Sequence, residues 1–199
     1  MSCIKLGITG GMGSGKSVAT QYFKDKGAFT IDADAISREL TASGGEALPA
    51  IREEFGDTVF ALDGSLDRRA LAYVIFNDVT ARRRLEAIIH PRVQRVTIEA
   101  IEKAEEEGYE LCMLDVPLLF ETGMDALCDY TLVITADLET RIQRVMERDN
   151  LPREAVVARI DNQLSDEERI RRASFVISND QTLEKLYSEL YAVYNKLHR

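Results

Sequence analysis

The stretch Gly10-Gly11-Met12-Gly13-Ser14-Gly15-Lys16-Ser17 decides the fold. It fits the spacing G-x-x-x-x-G-K-[ST], and its flanks give that spacing a physical meaning. Upstream, Cys3-Ile4-Lys5-Leu6-Gly7-Ile8 is an apolar run of strand length. Downstream, Ser17 to Lys24 has the pattern of a helix that turns Val18, Tyr22 and Phe23 inward. Strand, glycine loop and helix in that order form a P-loop. The glycines let phosphate oxygens approach bare backbone. The amides of Gly13 to Ser17 are expected to converge as an anion nest at a helix N-terminus, with Lys16 reaching the outer phosphates and the Ser17 hydroxyl ligating Mg2+. A glycine-rich turn with a surface lysine is the alternative, and the flanking elements argue against it. The loop alone does not choose the chemistry, because GTPase switches, transport ATPases, motors and small-molecule kinases share it.

At 199 residues the chain has the size of one domain, with room for an insertion. No apolar run approaches the length needed to cross a bilayer. The N-terminus carries no charged leader with an apolar stretch and cleavage site, so a cytoplasmic location is expected and no membrane partner. A net charge of -9 opposes general nucleic-acid binding, which needs a basic field. Cys3, Cys112 and Cys128 are odd in number and lack C-x-x-C spacing, and the histidines are His90 and His198, so neither a zinc site nor a disulfide framework is expected. Cys112 lies in an apolar run and reads as a buried small hydrophobe.

Around the P-loop, further strands read at Ala28 to Ile31, Leu111 to Leu114, Tyr130 to Thr135 and Phe175 to Ile177. Asp32 and Asp34 follow the second strand, where ligands of open α/β sheets bind. Asp32 equally suits capping a helix over Ala33 to Leu40, whereas Asp34 lies inside the first turn and is not needed as a cap. Asp115 closes the strand from Leu111 in a Walker-B-type position, placed to order Mg2+ through water or to hold a substrate group. The fragment Ser43-Gly44-Gly45-Glu46 resembles the transport-ATPase signature. It follows the P-loop too closely, and no aspartate-glutamate pair ends a later strand. A GTPase is disfavoured as well, because D-x-x-G and N-K-x-D are both missing.

From Glu46 to Glu107 the pattern is helical, with a turn at Asp63-Gly64-Ser65 and a helix running up to His90-Pro91. So long a helical stretch between two strands reads as an inserted substrate-binding lobe. Later, Arg141, Arg144 and Arg148 share a face of the helix Leu138 to Arg148. Arg153 to Gln163 forms the next helix, and Ser165 to Glu168 is a capping box starting a third with Arg169, Arg171 and Arg172. These arginines suit a phosphate-clamping lid, or else a helix pair salt-bridged to Glu147, Glu154, Glu167 and Glu168. Thr182 to His198 reads as an amphipathic closing helix.

Taken together, the P-loop, D-A-D, H-P, D-V-P-L-L-F-E, the arginine helices and V-I-S-N-D resemble the dephospho-CoA kinase family over nearly the whole chain. The resemblance implies a P-loop NTPase α/β/α fold of three layers, with a five-stranded parallel sheet, a helical substrate-binding insertion and an arginine-bearing lid. The core would comprise about 1–40, 108–137 and 174–199, the CoA-binding lobe about 41–107 and the lid about 138–173. It implies transfer of the γ-phosphate of ATP to the 3'-hydroxyl of dephospho-CoA, the last step of coenzyme A biosynthesis, by a monomer or small homo-oligomer. Under that resemblance Gly11, Gly13, Ser14, Gly15, Lys16, Ser17 and Val18 hold the ATP phosphates, and Ser17 and Asp115 serve Mg2+. Asp34 accepts or orients the 3'-hydroxyl proton, with Asp32 in support. Arg68, His90 and the stretch Pro117, Leu118, Leu119 and Phe120 line the dephospho-CoA site. Arg144 and Arg148 serve the lid, and Asn179 approaches the adenine. The chain departs from the family at Arg141, where glutamine is frequent, at Arg169, where lysine is, and at Ala173-Ser174, where Ala-Asp is common.

Overall fold

The computed structural model describes residues 3–198. Strands β1 (Ile4–Gly10), β2 (Phe29–Asp32), β3 (Leu111–Asp115), β4 (Tyr130–Thr135) and β5 (Phe175–Ser178) form one five-stranded sheet in the order β2-β3-β1-β4-β5. β1 pairs in parallel with β3 and β4, placing Ile8 opposite Asp115 on one side and Leu132 on the other, and β4 pairs in parallel with β5. The chain leaves β1 toward β2 on one side, whereas β4 continues to β5 on the other. The sheet therefore reverses its winding beside β1, and the crevice at the carboxyl end of that strand is where such folds bind ligands.

The inner strands read as continuous apolar runs because both faces are covered. Helix α1 (Lys16–Asp25) contributes Ala19 and Phe23 to the core, and α9 (Leu183–Leu197) contributes Leu186, Leu190, Val193 and Leu197 at helical spacing. They join Leu6, Ile8, Met113, Leu132, Ile134 and Ile177 in one buried cluster. Thr182 caps α9 by accepting from the Lys185 amide at 3.3 Å. Between β4 and β5 lie α6 (Leu138–Asp149), α7 (Arg153–Asp161) and α8 (Asp166–Arg172), with Ser165 capping α8 as its sequence pattern predicts. Ile142, Val145 and Val156 of α6 and α7 form a separate cluster that takes in Met12 of the phosphate loop.

The chain divides into two compact units. One comprises the segment up to Ile31 and the segment from Ile101 onward, and the other is Asp32–Ala100. The second unit contains α2 (Ala33–Leu40), α3 (Leu48–Phe55), α4 (Arg68–Asn77) and most of α5 (Val79–Glu106). Asp67 caps α4 by accepting from the amides of Arg69 and Ala70. The Asp63-Gly64-Ser65 turn forms as expected, with Gly64 at φ 82 and an antiparallel bridge between Phe60 and Leu66.

One boundary differs from expectation. The sequence suggests that a helix ends at His90-Pro91, yet α5 runs through Pro91 without a break. Pro91 lacks the amide that would bond the carbonyl of Ala87. One residue on, the Arg92 guanidinium donates to the Ile88 carbonyl at 2.6 Å. Ala81, Val93, Ile101 and Ala104 are buried along the same helix, and such packing outweighs a local helix breaker.

Candidate active site

The phosphate loop owes its shape to glycine. Gly13 and Gly15 adopt φ 80 and 90, a left-handed backbone that side chains oppose. A Cβ on Gly11 would lie 2.5 Å from Nη2 of Arg141, one on Gly13 would lie 2.5 Å from the Arg141 carbonyl oxygen, and one on Gly15 would strike Nδ2 of Asn179. Gly15 is the N-cap of α1 and offers no side chain to the first turn; its carbonyl accepts from the Val18 amide at 3.0 Å, and the helix end ahead of it suits an anion.

Three strand ends converge on this loop. From β3, the Asp115 carboxylate pairs with the Lys16 ammonium through one oxygen and accepts from the Thr20 hydroxyl at 3.0 Å through the other. Lys16 and Thr20 are one helical turn apart, so both face β3. Beyond Asp115 the chain is tied to β1, because Thr9 donates to the Pro117 carbonyl at 2.9 Å and the Val116 amide to the Ile8 carbonyl at 3.2 Å. From β5, Asn179 donates its carboxamide to the Ser14 carbonyl at 2.9 Å and its amide to the Thr135 carbonyl at 2.8 Å. From α6, which follows β4, Arg144 reaches the carbonyls of Asn179 at 2.9 Å and Gly13 at 3.4 Å. Asp180 accepts from the Ser178 hydroxyl and from the Asp137 amide at 2.6 Å. Those bonds, the hydroxyl's first, together with the charge of Arg144 hold its carboxyl below the usual range.

The structure thus brings together Gly11, Gly13, Ser14, Gly15, Lys16, Asp115, Arg144 and Asn179. Ser17 is exposed on the first turn of α1 and Val18 packs against the main core. Arg148 forms a paired contact with neighbouring Asp149 at 2.7 and 2.8 Å. Leu119 and Phe120 are buried, whereas Leu118 is 44% exposed and is the apolar side chain of that stretch open to a ligand. Sequence reasoning overlooked Thr20, although its spacing from Lys16 placed it on the same face. It also overlooked Thr9 and Asp166, whose roles depend on partners far along the chain.

In the second unit, Asp32 caps α2 by accepting from the Ala35 amide at 2.9 Å, and Asp34 follows in the first turn. Arg38 donates to the Asp34 carbonyl at 3.2 Å. Arg68 donates to the Thr41 hydroxyl at 3.0 Å beside a cleft of about 220 Å3, which Leu66, Leu71, Ile75, Leu85 and Ile89 line with apolar surface. His90 is exposed on α5.

Ser17 and Asp115 present hydroxyl and carboxylate oxygens, the hard donors that suit Mg2+. A magnesium ion of a phosphate site takes few protein ligands, and among the described residues no cluster of three acidic, histidine or cysteine side chains forms a cage. The donor set fits a metal shared with phosphates. Cys3 and Cys112 are buried and Cys128 is half-buried; burial, before any neighbouring charge, pushes the thiols of Cys112 and Cys128 up to about 12.

The profile of the dephospho-CoA kinase family matches residues 4–185. The chain is 40% identical to the dephospho-CoA kinase of Thermobifida fusca over 196 residues, covering 98% of this chain and 97% of that protein. A crystal structure from Thermus thermophilus superposes with a TM-score of 0.83 at 37% identity, covering 99% of both chains. Dephospho-CoA kinase from Campylobacter jejuni superposes at 0.72 with 26% identity, covering 97% of this chain and 96% of that one. The chain belongs to the dephospho-CoA kinase family.

Proposed function

We propose that the protein transfers the γ-phosphate of ATP to the 3'-hydroxyl of dephospho-CoA, an alcohol acceptor, giving CoA and ADP. The observation that carries this proposal is the glycine loop held between Lys16–Asp115 and Arg144–Asn179, in a chain that the family profile matches from residue 4 to 185. In the transfer, the bond between the γ-phosphorus and its bridging oxygen breaks as the 3'-oxygen bonds to phosphorus. Phosphoryl transfer asks little covalent work of a protein, so positioning and charge neutralisation dominate.

Gly11, Gly13, Ser14, Gly15, Ser17 and Val18 cradle the phosphates, and Lys16 is the cation that follows the migrating charge. Lys16 must leave its pairing with Asp115, at least in part, to meet the outer phosphates. Mg2+, held by Ser17 and Asp115, supplies charge neutralisation on the phosphate oxygens when bound. Arg144 already lies against the loop, so a small side-chain movement brings its forked donors to phosphate oxygens. Arg148 would join it on lid closure, and Asn179 would border the adenine.

Asp34 takes or orients the proton of the 3'-hydroxyl, supported by Asp32. Arg68 and His90 serve dephospho-CoA in the second unit, and Pro117, Leu118, Leu119 and Phe120 serve it in the first. Leu119 and Phe120 contribute through backbone and as a foundation, since their side chains are buried. The helical segment of about 41–107 serves as the CoA-binding lobe and that of about 138–173 as the lid. No helix among the described residues is long and apolar enough to cross a membrane. A cytoplasmic monomer or small homo-oligomer, with neither nucleic acid nor membrane as partner, completes the proposal. Incubation with ATP, Mg2+ and dephospho-CoA tests it: CoA is the expected product by mass, and unchanged acceptor contradicts it.

A further inference from the structure

Arg141 on α6 is 3% exposed and Arg169 on α8 is 1% exposed. Two guanidinium groups withdrawn from water need counter-charges and good hydrogen-bond geometry. Asp166 serves both. Its Oδ2 pairs with Nη1 of Arg141 and accepts from the Thr135 hydroxyl at 3.3 Å, and its Oδ1 lies 3.1 Å from Nη1 of Arg169. Glu121 completes the group at 3.5 Å from Nη2 of Arg169. Two cations and two anions balance one another in charge, while Nε and Nη2 of Arg169 find no hydrogen-bond partner among the described residues.

This cluster reaches the phosphate loop through Arg141. Its Nε donates to the Met12 carbonyl at 2.9 Å, and its guanidinium fills the space over Gly11. The Met12 amide donates in turn to Oε1 of Gln163 at 3.0 Å. Both polar backbone groups of Met12 are therefore fixed from outside the loop. In a planar trans peptide the carbonyl and the next amide point opposite ways. Holding the Met12 oxygen toward Arg141 consequently turns the Gly13 N–H the other way. Peptides next to glycine flip readily, and a flip here would turn a carbonyl oxygen to the side that the amide now faces.

We propose that Arg141 is a positioning residue for the nucleotide phosphates: it locks the Met12–Gly13 peptide in its anion-binding orientation and couples that lock through Asp166 to α8. The proposal rests on ATP being the phosphate donor, as argued above. It predicts a selective effect, because the loop meets ATP and not the acceptor alcohol.

The test is calorimetric binding of ADP and of a non-hydrolysable ATP analogue, together with separate KM values for ATP and dephospho-CoA, in the variants Arg141→Gln, Arg141→Lys, Asp166→Asn and Arg141→Gln/Asp166→Asn. Loss of a charge-assisted hydrogen bond and the loop order it holds should weaken nucleotide binding by Arg141→Gln about tenfold, with the dephospho-CoA KM within about twofold. Asp166→Asn should weaken nucleotide binding by about threefold, and the double variant no more than Arg141→Gln alone, the signature of a shared pathway. Arg141→Lys should fail to restore binding, since a point charge cannot serve both Met12 and Asp166. Nucleotide affinity within about twofold of wild type in Arg141→Gln overturns the proposal, as do additive effects or equal loss for both substrates. Should Arg141→Gln not fold, Asp166→Asn decides by the same criteria. Binding is read without turnover, so a wild-type protein that binds nucleotide and makes no CoA refutes the acceptor assignment while leaving Arg141 to be judged on its own.

Discussion

The ammonium of Lys16 is paired with the carboxylate of Asp115, which joins the first residue of α1 to the last residue of β3 beneath the phosphate loop. Two groups assigned to phosphate and metal thus already share one place. An arriving nucleotide exchanges one anionic partner of Lys16 for another, so the lysine is positioned before substrate binds. Replacing Lys16 by alanine should leave the sheet intact and lower kcat by about 10²- to 10³-fold, the usual cost of removing one charge-stabilising donor. Steady-state kinetics beside a melting curve would check this, and unchanged turnover with unchanged melting would count against the assignment.

Asp34 lies in the first turn after β2, one residue beyond the start of α2. Asp34→Asn keeps its size and removes its charge. The expected result is a fall in kcat much larger than the rise in either KM, because a group acting on the migrating proton matters more in the transition state than in binding. A comparable rise in the ATP KM alone would make it a nucleotide-binding residue.

Gly15 combines φ 90 with a position where any Cβ would strike the Asn179 carboxamide. Gly15→Ala must strain the backbone by about 1–2 kcal/mol and displace Asn179 from the Ser14 carbonyl. ADP binding should be lost before the fold is, read by calorimetry and by denaturant unfolding. Asn179→Ala alone, which removes the bond to Ser14 without adding left-handed strain, should weaken ADP binding less than Gly15→Ala does.

Cys112 and Cys128 carry thiols pushed up to about 12 from an ordinary value of 9.0. The folded state therefore holds these protons more tightly than the unfolded one. Their contribution to stability is full below about pH 9 and is lost as pH rises toward about 12. Denaturant midpoints should decline across that alkaline range, and Cys112→Ser/Cys128→Ser should flatten the decline. In native protein at pH 8 neither thiol should react with iodoacetamide, whereas both should react after unfolding.

Much of this was legible because the informative patterns are local. The apolar runs ending at Asp115 and Thr135 are doubly covered strands. The D-A-D stretch places Asp32 as a cap, and Ser165 with Glu168 starts α8 as a capping pair should. What could not be read depends on residues that meet only after folding. Asn179 and Ser14 lie 165 positions apart, and Arg141 finds Asp166 rather than any of the glutamates that sequence proximity suggested. Arg153 likewise pairs with Glu139 and Arg172 with Asp125, while Arg171 takes Glu168, a neighbour on its own helix. Pro91 misled for the converse reason: a strong local signal yielded to burial along α5 on both sides of it.

The most direct test of the central claim is ADP release from ATP and Mg2+ with dephospho-CoA as acceptor, run beside a panel of nucleosides and nucleoside monophosphates, with each product identified by mass. The account predicts turnover with dephospho-CoA and formation of a product heavier by one phosphate at the 3'-position. Turnover confined to another acceptor, or none with dephospho-CoA, would contradict it.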